Sequence, residues 1–221
     1  MSSELPLRGV LGLGAVSTQY YLQRIHKKYQ KRHLEFSTCP LMMYQIDFQE
    51  INPYLPRQFD VLLPRLKNVL QAVENIGISK LIIPNITLHE ALDQIETSLS
   101  VCHPVNLTLN FLREKNIPEI ILFGTKFTMR SGWFKQKFTF NDIEIILPSD
   151  EDQQWLDSFR KTVYTGQTTT SDIEYFQNLI RKYGQERTVV LACTELSVYS
   201  LKQETFCIDI AELQIEDFLK E

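Results

Sequence analysis

Short apolar, β-branched runs alternate with longer amphipathic stretches along the whole of this 221-residue chain. The runs at 8–11, 41–47, 80–84, 119–123, 144–147, 188–192 and 206–209 predict strands. Apolar residues at helical spacing predict helices at 17–30, 57–76, 88–98, 105–115, 128–137, 150–164, 170–183 and 210–220. Several ends carry their own punctuation. Ser149-Asp150 and Thr170-Ser171-Asp172 read as capped helix starts, and Gly77, Gly166 and Gly184 fall where helices should stop. Strands that alternate with helices predict parallel sheet with crossover connections, an α/β fold.

A faint duplication runs through the pattern. GVLGLGAVST (9–18) is followed by IIPNIT (82–87), and IILFGTKFT (120–128) is followed by VVLACT (189–194). Each half thus reads as strand, Gly-bearing turn and Thr, then strand, polar residue and Thr. This predicts two similar Rossmann-like lobes with parallel sheets and the active site in the inter-lobe cleft. The expected division is 1–112 plus 205–221 for the first lobe and 113–204 for the second.

Composition narrows the class. The chain is 43% hydrophobic with a net charge of −4, which suits a globular protein with a sizeable core and argues against nucleic acid as a partner. The richest basic stretch, HKKYQKRH at 26–33, reads as the solvated end of a helix. No leader and no apolar run near the ~20 residues of a membrane span is visible, so a cytoplasmic protein without a membrane partner is expected. Cys39, Cys102, Cys193 and Cys207 lack paired spacing, as reduced thiols would. The sequons at Asn85 and Asn106 are read as chance without a secretory route.

Four constellations could carry chemistry. Gly12-Leu13-Gly14 turns from strand to helix, where a helix N-terminus favours anions. Ser17 stands where a dinucleotide fingerprint needs its third glycine, which leaves a carboxylate guest or a plain tight turn. Gly124-Thr125-Lys126-Phe127-Thr128 offers two hydroxyls and backbone N–H groups, or simple capping. Cys193-Thr194-Glu195 ends a strand and starts a helix, a position that should lower a thiol's pKa; the alternative is inert packing. Asn85-Ile86-Thr87-Leu88-His89 can hydrogen-bond, with His89 a base or a packed cap. The other histidines, His26, His33 and His103, look scattered, and no metal set emerges.

In order, these motifs resemble the aspartate/glutamate racemase superfamily, and in particular its aspartate racemase type. The family's Gly-rich turn and Thr resemble GVLGLGAVST, its Pro-Cys-Asn-Thr-Ala-His resembles Pro84–His89, its Gly-Thr-x-x-Thr-Met resembles GTKFTM, and its Gly-Cys-Thr-Glu resembles Ala192–Glu195. The resemblance implies a cofactor-independent amino-acid racemase in which two thiols work opposite faces of the substrate α-carbon. It makes Cys193 one of that pair and puts Asn85 where the other thiol belongs. It also implies substrate binding by Thr18, Gly14, Gln45, Thr87, Thr125, Thr128 and Thr194, with Asp47 a weaker candidate, a small amino acid or dicarboxylate as substrate, and a homodimer. Asn85 cannot shuttle a proton, so activity is expected to be impaired or one-directional. Two alternatives follow: a one-thiol decarboxylase or isomerase on the same fold, and a non-catalytic carboxylate-binding homologue.

Overall fold

The computed structural model describes residues 7–55, 57–201 and 204–220. The chain divides into two compact units: one runs to His103 and resumes at Gln214, and the other is Pro104–Leu213.

The first unit is built on four parallel strands, β1 (Arg8–Gly12), β2 (Met42–Gln45), β3 (Lys80–Ile82) and β4 (Ser100–Val101), in the order β2-β1-β3-β4. Helix α1 (Ala15–Arg32) follows β1, and α2 (Phe59–Asn75) leads to β3. The α2 core stripe is Leu62, Leu66, Leu70 and Val73, all buried at helical spacing. Burial of each leucine contributes roughly 1.5–3 kcal/mol. Pro64 lies on the exposed side of α2, where water can satisfy the carbonyl it leaves unpaired.

The predicted helix at 88–98 is only one turn, α3 (His89–Leu92). The chain is then drawn away by Glu74, whose carboxylate accepts hydrogen bonds from the Thr97 hydroxyl (2.7 Å) and from Ser98 N–H and Oγ (both 3.0 Å). That tether leads into β4, a two-residue strand with no legible pattern of its own. The predicted strand 41–47 is shorter because Asp47 caps a 3-10 turn, accepting from Gln49 N–H at 2.9 Å.

The second unit starts with α4 (Pro104–Glu114) and repeats the topology with β5 (Glu119–Gly124), β6 (Glu144–Ile146), β7 (Thr188–Ala192) and β8 (Cys207–Asp209), parallel and ordered β6-β5-β7-β8. The two sheets therefore share one strand order, and both are parallel, as the duplicated motifs suggested. Strand β8 pairs with β7 in this sheet, whereas the sequence reading grouped 205–221 with the first lobe. Val189 to Ala192 and Ile120 to Gly124 are buried, which accounts for their unbroken apolar character. One predicted helix, 128–137, is two: α5 (Lys126–Arg130) and α6 (Gly132–Thr139). Ser131 breaks it by adopting extended backbone and capping α6 through Phe134 N–H. Helices α7 (Asp150–Thr165) and α8 (Thr170–Gly184) are capped by Ser149 and by Thr169, the latter with Asp172 in a capping box one residue earlier than predicted. Gly166 ends α7 at φ +70°, a left-handed conformation glycine adopts without strain.

After the one-turn α9 (Thr194–Ser197), α10 (Ile210–Phe218) ends the chain. Its second half packs in the first unit. Buried Gln214 accepts from Tyr21 Oη (2.5 Å) and donates to the Cys102 carbonyl (2.8 Å), and Arg8 Nε donates to the Phe218 carbonyl (3.0 Å). The basic end of α1 is not simply solvated: Lys28 and Arg32 both pair with Glu216. Among the described residues no helix is long and apolar enough to cross a membrane.

Candidate functional site

With this strand order, each sheet has its topological switch point between its first and third strands, where open α/β sheets receive ligands at the carboxyl ends. In the first unit those ends are Gly12–Gly14 and the segment after Ile82. In the second they are Gly124–Thr125 and Ala192–Thr194.

At the first switch point the sequence candidates hold the protein's own backbone. Thr18 Oγ1 accepts from Leu13 N–H (3.2 Å), and Gly14, the N-cap of α1, presents its carbonyl to Thr18 N–H (3.0 Å) and Ser17 Oγ (3.1 Å). Gln45 lies across Gly12 and donates to the carbonyls of Leu13 (2.9 Å) and Ile46 (3.0 Å); a Cβ on Gly12 would sit 2.0 Å from Gln45 Oε1. This glycine is thus needed for close approach.

Asn85 is likewise occupied. Its Oδ1 accepts from Leu88 N–H (2.9 Å), closing the turn into α3, and its carbonyl accepts from His89 Nδ1 (2.7 Å). His89 is fully buried, and that burial, reinforced by the charge of neighbouring His103, lowers its pKa to about 3. It is therefore a neutral, packed cap. His103 is not scattered as read from sequence: its ring meets His89 edge-on at 4.8 Å, and its Nε2 lies 3.3 Å from Asp93 Oδ1. The half-buried Thr87 hydroxyl has no hydrogen-bond partner among the described residues.

The second switch point gathers the reactive groups. Thr125 caps α5 by accepting from Thr128 N–H (3.0 Å), and the two hydroxyls are 2.9 Å apart. The first N–H of α5, on Lys126, donates to Asp157 Oδ1 of α7 (3.1 Å). Two of the N–H groups expected to grip a substrate carboxylate, those of Lys126 and Thr128, are thus already held by side chains of the chain itself. Burial opposes ionisation of Asp157, but hydrogen bonds from Lys161, the Lys126 N–H and Arg160 outweigh it and hold its pKa at about 2. Arg130, two residues after Thr128, faces Asp150 at 3.6 Å on the surface.

Cys193 caps α9 from extended backbone and is almost completely buried. Its thiol donates to Glu195 Oε2 at 3.0 Å. The expectation of a lowered pKa is overturned: burial, then the Glu195 charge and its hydrogen bond, push the thiol well above its ordinary value. A four-residue helix has too small a dipole to offset this. Weaker pulls the other way come from the Leu196 N–H and from Arg160. Cys39, Cys102 and Cys207 are also raised by burial, so acidity does not single out Cys193; its neighbours do. Thr194, next in the chain, is buried and its hydroxyl has no hydrogen-bond partner among the described residues.

Glu195 was noted in sequence only as part of a motif, and Arg160 and Asp157 were missed. Asp157, Arg160 and Lys161 look like ordinary surface pairs on one helix face, and nothing in their spacing ties them to a cysteine over thirty residues away. Among the described residues no group of three or more His, Cys, Asp and Glu side chains is arranged to hold a metal ion.

A strand-end thiol with a carboxylate partner lies on one of two parallel sheets of identical order, an α/β scaffold of two similar units. The Asp/Glu/Hydantoin racemase family model matches residues 10–216, and the chain belongs to that family. It is similar in fold to an aspartate racemase homologue from Pyrococcus horikoshii (22% identity, TM-score 0.82, 97% of this chain and 98% of the other covered). It is also similar to an aspartate racemase from Picrophilus torridus (19%, 0.75, 96% and 92%) and to a glutamate racemase from Bacillus anthracis (15%, 0.60, 96% and 79%). No curated protein sequence matches the chain.

Proposed function

We propose that the chain is a cofactor-independent amino-acid racemase that moves the substrate α-proton with Cys193. The observation that carries this reading is the Cys193–Glu195 hydrogen bond at the carboxyl end of β7. A protonated, buried thiol is ready to deliver a proton to a carbanion. In the deprotonation direction Glu195 Oε2 first takes the thiol's proton, and the thiolate so formed takes the α-proton. Thr87 and Thr194, whose hydroxyls have no hydrogen-bond partner among the described residues, are the candidates best suited to touch substrate directly. Thr18, Gly14 and Gln45 shape the turn at the first switch point, and Thr125 and Thr128 shape the turn at the second.

By the motif comparison Asn85 replaces the family's other thiol. Loss of one general acid–base group costs ~10²–10⁴ in rate, so turnover is slow or favours one direction. In this reading the protein is cytoplasmic and homodimeric, and its substrate is a small amino acid.

The test is α-deuterium exchange in D2O, followed by proton NMR over a panel of amino acids that includes aspartate and glutamate. Exchange that Cys193→Ser abolishes supports the reading; no exchange above buffer at high enzyme concentration sinks it. One observation favours a second reading, a non-catalytic carboxylate binder: Asn85 is spent on capping its own turn. Amino-acid binding unaltered by Cys193→Ser, with no exchange, would establish it.

A further inference from the structure

The charges around Cys193 go beyond any role the sequence suggested. Arg160 lies on α7, which packs against both α5 and α9, the helices that open from the two strand ends of the second switch point. Its Nε donates to Asp157 Oδ1 at 3.0 Å, and Asp157 in turn holds the first N–H of α5. The guanidinium is therefore anchored by one edge. Among the described residues its two terminal nitrogens have no hydrogen-bond partner, and the side chain is 30% exposed, so they can reach a ligand. Through Asp157 the guanidinium is held at the second switch point, where its charge weakly favours the Cys193 thiolate against the larger effect of Glu195.

We propose that Arg160 is the anchor for the substrate's carboxylate beside Cys193, a specificity-determining residue of this chain. At the N-terminus of α5, the neutral alternative, the Lys126 N–H is taken by Asp157 and the Thr128 N–H by Thr125. Guanidinium nitrogens in a fixed fork suit a carboxylate. Glu195 presents the opposite sign at the same thiol, so the site complements a zwitterion, the ammonium and carboxylate of one α-amino acid, better than a dianion. This rests on the racemase reading for its substrate class, but its geometry stands without turnover.

The test therefore avoids turnover. Alkylation of Cys193 in the full chain at pH 9 is followed by peptide mass spectrometry with two reagents, iodoacetate, which carries a carboxylate, and iodoacetamide, which is neutral. Arg160→Gln should lower the iodoacetate-to-iodoacetamide rate ratio about tenfold, as loss of one nearby charge implies. Arg160→Lys should keep the ratio within about threefold of the parent, and Glu195→Gln should raise it by removing a repelling charge. A ratio unchanged in Arg160→Gln overturns the anchor. If the buried thiol reacts with neither reagent, acetate titration of the 13C-arginine-labelled protein decides. The ζ-carbon signal missing from Arg160→Gln must move saturably with acetate, and a static signal overturns the proposal. An Arg160-dependent ratio in a protein that exchanges no amino-acid α-proton would keep the anchor and reject the racemase.

Discussion

The thiol of Cys193 donates a hydrogen bond to Glu195 Oε2 at 3.0 Å, two residues along the same turn. The short separation makes the pair a local product of the strand-to-helix turn, and it sets the thiol's protonation. Removal of the carboxylate charge removes one cause of the raised pKa. Glu195→Gln should therefore hold more thiolate at pH 8–9 and react several-fold faster with iodoacetamide at Cys193, while α-deuterium exchange falls by ~10²-fold or more for want of the proton acceptor. A variant that alkylates no faster would show that burial alone governs the thiol.

Buried thiols make the fold sensitive to alkali. Burial, aided by Asp209, pushes Cys207 from an ordinary 9.0 up to about 12, and Cys193 is raised as well. A group whose folded pKa lies above its unfolded value contributes stability fully present below the unfolded value and lost as pH rises through the folded one. Stability should hold to about pH 9 and decline from there towards pH 12, which thermal melts across that range will show. Cys207→Ala should flatten part of the decline.

His89 gives the opposite sign on the acid side. Its folded pKa of about 3 lies below the ordinary 6.5, so its contribution is present above pH 6.5 and lost as pH falls towards 3. The loss is at most about 1.4 kcal/mol for each pH unit of that window. Urea titrations at pH 7, 5 and 4 should show it. His89→Phe, which cannot become charged, should weaken the pH dependence although it forfeits the hydrogen bond to the Asn85 carbonyl.

At the second switch point, Thr125→Ala removes the cap of α5 and its contact with the Thr128 hydroxyl. A cost of about 1 kcal/mol in chemical denaturation is expected. Asp157→Ala should cost more, roughly 1.5–3 kcal/mol, because it removes charge-assisted bonds from Arg160 and the Lys126 N–H together.

Gly12 and Gln45 offer a double-mutant test. A methyl group at Gly12 would sit 2.0 Å from Gln45 Oε1, so Gly12→Ala must displace that side chain from the Leu13 and Ile46 carbonyls, at a cost of about 1–2 kcal/mol. With Gln45→Ala in place the clash is gone, and the two changes together should cost clearly less than their sum. Additive costs would mean that the glycine serves something other than this close approach.

Local pattern carried most of the architecture. The β-branched runs of β1, β5 and β7 and the helical stripe of α2 announced themselves because their burial is periodic, and periodicity is a property of neighbours in sequence. The duplicated turn-and-Thr motifs foretold two similar lobes with parallel sheets for the same reason, and their resemblance to a racemase family agrees with the family to which the chain belongs. Elements held by distant partners were invisible. Strand β4 exists as a pair of β3 after a loop tied down by Glu74, and α3 stops after one turn because that tie redirects the chain. Sequence singled out Cys193 but reversed its pKa, since a thiol's acidity follows from its burial and from the charges that face it in space. Tertiary structure alone turned Gln45 onto the Leu13 carbonyl, brought Asp157 to the first N–H of α5 and held Arg160 beside Asp157 at the second switch point. Hydrogen bonds and charges act through space over a few ångströms, and only the folded chain decides which groups share that distance.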